Sequence, residues 1–142
     1  FPQEKQLLAW TALCYFMKGT TLLYAGQEVC AAHTPSLFEK EPIDWQGGRD
    51  ISPYLARLAA IKKALPTVGL FRITAGDACG IVTAHCTAPE ACAVGVFPLA
   101  GQGGTAAVPL PDGPYTDTLS GQSVTVAGGL LPVGDCPLIL LP

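Results

Sequence analysis

"GTTLLYAGQEV", residues 19–29, is the stretch on which the reading of this chain turns. Between Gly19 and Gly26 runs an unbroken apolar and β-prone segment, Thr20 to Ala25, followed at once by Gln27 and Glu28. Alternation would indicate a strand with one wet face. A continuous run between glycines instead predicts a strand covered on both faces. Such a parallel strand cannot stand alone, because each edge of it needs a neighbour. Glu28 follows the C-terminal end of the run, where strand-and-helix barrels place their chemistry. It is therefore either a working carboxylate or a brace that holds the loop.

The flanking residues read as helices. Pro2 near the start, Glu4 in the first turn, Lys18 near the end and Gly19 beyond it bound a first helix. Its Leu7, Leu8, Trp10, Leu13, Cys14, Tyr15, Phe16 and Met17 go almost all round the cylinder, which predicts burial on most sides. Residues 27–50 form a long loop with Pro35, Pro42, Gly47 and Gly48; loops of this length usually carry a function or structure of their own. A last helix starts at "DISPY", with Ser52 as N-terminal cap and Pro53 at the first helical position. Tyr54, Leu55, Leu58, Ile61 and Leu65 recur at helical spacing, Lys62 and Lys63 suit the negative end, and Pro66 closes the element.

After Pro66 the period changes. Short apolar runs recur about every 10 residues between turn signals: Leu70–Ile73, Ile81–Cys86, Cys92–Phe97, Ala106–Leu110, Tyr115–Leu119, Val124–Val126 and Leu138–Leu141. "AGDACG", "LAGQGG", "LPDGPY", "LSGQS" and "PVGDCP" separate them. This is the pattern of an antiparallel sandwich or barrel. Residues 67–142 are long enough to bury a small core of their own; residues 1–66 are not.

Composition excludes several classes. Hydrophobic residues make up 49% and charged residues 13%, so the chain is globular and much of its surface is expected to be covered. The net charge of −3, with scattered Lys and Arg, offers no basic patch for nucleic acid or membrane. No segment reaches the roughly 18 apolar residues that span a bilayer. The chain starts at Phe1, not Met, as a piece of a longer protein would, so the missing leader does not identify a compartment. The six cysteines include no C-x-x-C pair and have only His33 and His85 to supplement them, which argues against zinc. Most lie in apolar runs and read as buried free thiols, with a disulfide framework left open.

"GTTLLYAGQEV", then "PSLFEKEPIDW", then "ISPYLARLAAIKKALP" resemble the α-amylase family of glycoside hydrolases, at the seventh helix, eighth strand, following loop and last helix of the catalytic barrel. "LPDGPYTDTLSGQSV" resembles a stretch of the β-sandwich that follows that barrel. The fold class implied is an α+β fragment: two helices and one strand from the end of a (β/α)8 barrel, residues 1–66, then an all-β antiparallel sandwich, residues 67–142. The resemblance places the family's catalytic carboxylates upstream of Phe1, so no catalytic residue is assigned here. It implies a parent acting on α-glucans or α-glucosides, with this segment inactive alone and structural in role. Calcium is possible in such a parent, but no ligand set here is assignable, and no cofactor is expected in this chain.

The residues themselves allow some local chemistry. Glycosidic cleavage needs two carboxyl groups about 5 to 9.5 Å apart, and Glu28, Glu39, Glu41, Asp44 and Asp50 are near in sequence. Gln27 and Glu28 are read as bracing the loop by bonding backbone N–H groups or a basic neighbour. Glu39 and Glu41 read as a solvated turn, and His33 as a lone loop histidine. Asp44 and Trp45 suit the rim of a sugar cleft, since an indole face stacks on sugar C–H surfaces; Trp45 as a plug of the loop is the alternative. Glu28, Asp44 and Trp45 are thus the candidate rim residues. The expected partners are the missing part of the barrel, an α-glucan, and a second copy through the orphan strand Thr20–Ala25. A non-catalytic α-glucan-binding or self-associating sandwich is the alternative function, disfavoured by the sparse aromatics Phe71, Phe97 and Tyr115 after residue 66.

Overall fold

The computed structural model describes residues 2–33, 35–76 and 80–142; Cys79 and the middle of the turn "AGDACG" lie outside the described residues. Two helices come first, α1 (Pro2–Phe16) and α2 (Ser52–Ala64), with one 3-10 turn, Gln27–Val29, between them. Eight strands follow: β1 (Leu70–Gly76), β2 (Ile81–Ala88), β3 (Ala91–Pro98), β4 (Gly104–Ala107), β5 (Gly113–Thr116), β6 (Ser123–Val126), β7 (Leu130–Val133) and β8 (Leu138–Leu140). All pairings are antiparallel. β1-β2-β3-β8 form a four-stranded sheet, and β4-β7 and β5-β6 form two ladders. The β half is a sandwich in which these ladders cover one face of the larger sheet.

The helices cover the other face. Side chains alternate along β3: Ala93 and Phe97 join a core with Phe16, Leu55 and Leu58 of the helices. Val94 and Val96 join a second core with Ala106, Val126 and Leu131 of the ladders. β8 repeats this, with Ile139 in the first core and Leu138 and Leu140 at the second. This explains why "ACAVGVF" is apolar at every position, since a strand between two layers has no wet face. Phe16 meets Phe97 edge to face with ring centroids 5.7 Å apart. Gly95 admits this contact: a Cβ there would lie 2.4 Å from the Phe97 ring and 3.1 Å from Phe16.

The first half departs from the expected structure in four ways. Thr20–Ala25 forms no strand. Without a ladder neighbour on either side its backbone has no partner to fix an extended pairing geometry, and Leu22 is 83% exposed. The strand edge through which a second copy was expected to pair is therefore not formed. α1 leaves one side open: Trp10 and Cys14, with Met17 just beyond the helix, are spaced i, i+4, i+7 and make an exposed stripe, while Ala9, Ala12, Leu13, Tyr15 and Phe16 are buried. α1 also stops at Phe16, so Lys18 lies beyond it and donates to Gly69 C=O at 2.9 Å. Ser52 lies inside α2 and makes no cap bond; Asp50 accepts the Ser52 N–H at 2.8 Å instead, and the Ser52 side chain first, with that N–H second, holds the Asp50 carboxyl below the ordinary range.

Lys62 does more than suit its own helix end. Its Nζ donates to the Tyr15 carbonyl in the last turn of α1 at 2.9 Å and to the Met17 carbonyl just beyond the helix at 2.7 Å, giving a donor to acceptors that have none within the helix. None of the five described cysteines is bonded to another, and only Cys86 is buried; Cys14 and Cys136 are exposed, against the expectation of buried thiols. β7 (Leu130–Val133) lies outside the expected runs, its last two residues falling in the separating stretch "PVGDCP".

Candidate functional site

The turn Gln27–Val29 and the start of the loop that leads to α2 are held by hydrogen bonds. Gly26 adopts φ 97°, open to glycine, and turns the chain. Gln27 Oε1 accepts the Tyr24 N–H at 2.6 Å, and Glu28 Oε2 accepts the Gly26 N–H at 2.8 Å. The Glu28 carbonyl accepts the Ile51 N–H at 2.8 Å, which ties the start of α2 back to the turn. At Gly48 a Cβ would fall 1.8 Å from the Val29 carbonyl, so the returning loop crosses the turn at a distance only glycine permits.

Within this frame residues 31–33, 35, 41–44 and 47 line an open cavity of about 310 Å³. Ala31, Pro35 and Ile43 give it apolar walls; His33, Glu41 and Asp44 give it polar ones. His33 Nε2 and Glu41 Oε1 are 2.6 Å apart, and Glu41 Oε2 accepts the Ser36 N–H at 2.8 Å. The Ser36 amide first, and His33 second, hold the Glu41 carboxyl below the usual carboxylate range. Asp44 Oδ1 accepts the Gln46 N–H at 3.0 Å.

Of the three rim candidates, only Asp44 lines this cavity. Trp45 is 53% exposed beside it in sequence, and Glu28 is committed to the turn. The pairing of His33 with Glu41 was not read from sequence, and nothing in the spacing of two polar loop residues signals it. A general acid for glycoside cleavage needs a raised pKa. Glu41, Asp50, Asp112 and Asp135 all move the other way, each by accepted hydrogen bonds. Among the described residues no three or more His, Cys, Asp and Glu side chains are placed to hold a metal ion, and no helix is long and apolar enough to cross a membrane.

A second polar centre, buried, lies where the halves meet. Asp117 is 1% exposed, and its carboxylate accepts N–H groups of Leu119 (3.1 Å), Ser120 (2.9 Å) and Ile139 (2.9 Å). Arg57 of α2 donates to the Leu119 carbonyl in the same turn. The sequence shows Asp117 beside a turn, but its partner Ile139 is far along the chain and carries no signal of the contact.

Residues 72–140 match the family model described as the bacterial alpha amylase C-terminal domain. No curated protein matches the chain. An α-amylase structure from Lactobacillus plantarum is similar at 26% identity and TM-score 0.82, covering 98% of this chain and 33% of that one. A noncanonic maltogenic α-amylase, AmyB from Thermotoga neapolitana, is similar at 16% identity and TM-score 0.75, covering 96% and 36%. AmyP, solved in complex with maltose, is similar at 15% identity and TM-score 0.67, covering 96% and 34%. The chain thus spans about a third of the length of these structures.

Proposed function

Since the chain is a C-terminal part of an α-amylase family glycoside hydrolase, we propose that it is the non-catalytic, structural segment of an enzyme acting on α-glucans or α-glucosides. In this reading residues 1–66 are the end of the (β/α)8 barrel and residues 67–142 the C-terminal sandwich. The carboxylates that cleave the bond lie in the rest of the barrel, and Glu28, Asp44 and Trp45 stand at the rim of its cleft. The observation that carries the proposal is the exposed apolar face of the first half. The α1 stripe Trp10, Cys14 and Met17 and the unpaired segment Leu22, Leu23 and Tyr24 stay open to water, while the other side of α1 is packed on the sheet. Large apolar side chains exposed in such number mark a surface that is normally covered, and the remainder of the barrel is the cover. Maltose in AmyP supports the substrate class.

The test has two arms. The 142-residue chain incubated with soluble starch should release no reducing ends, and its co-expression with the upstream part of its parent should yield an amylolytic complex. Activity of the chain alone, or full activity of the upstream part without it, would sink the proposal. The alternative is an α-glucan-binding module. What favours it is the exposure of Phe38 and Trp45 in the loop around the cavity. Saturable heat on titration of the isolated chain with maltoheptaose would select that alternative.

A further inference from the structure

The two edges of the four-stranded sheet are finished differently. β8 is three residues long, preceded by Pro137, with Pro142 soon after. Its outer side is closed: Ile139 donates to the Asp117 carboxylate at 2.9 Å, and its carbonyl accepts the Thr118 N–H at 2.8 Å. β1 at the opposite edge is seven residues long and pairs with β2 in unbroken register from Leu70 to Gly76. It contains no proline, no lysine and no bulge, the usual devices that blunt an edge. Among the described residues no turn or loop backbone group bonds to it. Leu70 is 56% exposed and Ile73 46%.

Both faces of β1 are largely open, so what is missing beside it is a backbone ladder, which only another strand supplies. The side-chain pattern says which strand. Phe71, Ile73 and Ala75 share one face, while Arg72 and Thr74 share the other. Read outward from Ile73 in either direction, the order is the same: polar, then apolar. A strand with this symmetry is complementary to itself in antiparallel pairing, as an isologous two-fold contact requires.

We propose that β1 pairs with β1 of a second copy, antiparallel and centred on Ile73, joining two four-stranded sheets into one. In that register Ile73 faces its counterpart, Phe71 faces Ala75 of the other copy, and Arg72 faces Thr74 of the other copy. Arg72 is the only charged side chain in the strand, so no like charges oppose each other. The contact uses an edge remote in sequence from Thr20–Ala25, and it is independent of the chain's role in glucan chemistry.

Sedimentation equilibrium of the chain should show a concentration-dependent dimer, and hydrogen exchange should slow at β1 amides as concentration rises. Ile73→Lys places two cations face to face on an already exposed position. It should raise the dimer dissociation constant by more than about tenfold without altering the far-ultraviolet spectrum. Leu22→Ser with Leu23→Ser should leave the dimer intact, because those residues belong to a different surface. A monomer at every concentration, a dimer indifferent to Ile73→Lys, or a dimer dissolved by the Leu22 and Leu23 changes would each overturn the proposal. Assembly with slowed exchange at residues other than β1 would do the same.

Discussion

Thr20–Ala25 and Ala91–Pro98 are both short, continuous apolar runs, and they meet opposite fates. The second is β3, paired on both edges, with Val94, Val96 and Phe97 wholly buried between two layers. The first forms no strand and leaves Leu22 83% and Tyr24 51% exposed. Equal hydrophobicity does not make equal structure. A run without alternation states a demand for two covers and two ladder neighbours, and only the downstream sequence supplies them. Burial of a large apolar side chain stabilises by about 1.5–3 kcal/mol only where such a cover exists.

The strongest challenge to this contrast is a pair of truncations. Phe97→Ala removes a fully buried ring and its edge-to-face contact with Phe16, and should cost about 3–5 kcal/mol in urea unfolding. Leu22→Ser acts on a side chain already in water and should stay within about 0.5 kcal/mol of wild type. Similar losses from both would show that the segment is packed and the contrast wrong.

A somewhat smaller effect tests what joins the regions. Asp117→Ala leaves the Leu119, Ser120 and Ile139 N–H groups without their acceptor at a site that is 1% exposed. A loss of about 2–4 kcal/mol is expected, mainly from stranded donors. Because Arg57 of α2 grips the Leu119 carbonyl of the same turn, hydrogen exchange in α2 should accelerate along with that in β8. Acceleration confined to β8 would mean that the turn does not couple the halves.

Much of this was legible in the residues, for reasons that vary by element. α2 was readable because proline at its start, proline after its end and apolar spacing agree locally. The cap was misread because both Asp50 and Ser52 are capping residue types, and only geometry shows that Asp50 takes the N–H. Seven strands follow from apolar runs between turns. β7 escaped because its last two residues, Pro132 and Val133, fall in the stretch "PVGDCP" that reads as a separator; Pro132 is tolerated in a two-stranded ladder, where it stands opposite Thr105 and the other side of β7 carries only the Ala127 bridge to Leu130. At the candidate site, Asp44 lines the cavity as a rim residue should, whereas the His33–Glu41 pair arises from a loop path that no periodicity encodes.

Two carboxylates give the finest test, since both are lowered by hydrogen bonds and they lie in different regions. Asp112 accepts the N–H groups of Gly129 at 3.0 Å and Gly128 at 2.7 Å, and these amides, Gly129 first, hold its carboxyl below the ordinary value of 3.8. Glu41 is likewise lowered, by Ser36 and His33, but in the loop of residues 31–47. A carboxyl depressed in the folded state favours folding fully above its unfolded value, and that advantage fades as pH falls through the folded value. Wild-type stability should therefore decline below about pH 4. Asp112→Asn should flatten the decline measurably, because its turn links Pro111 and Gly113 to the β6–β7 connection inside the sandwich. Glu41→Gln should leave the global midpoint at each pH unchanged, because its exposed loop can open without unfolding the layers around β3. If Glu41→Gln flattens the acid limb as much as Asp112→Asn does, the loop melts with the sandwich. The two regions then form one cooperative unit despite their unequal packing.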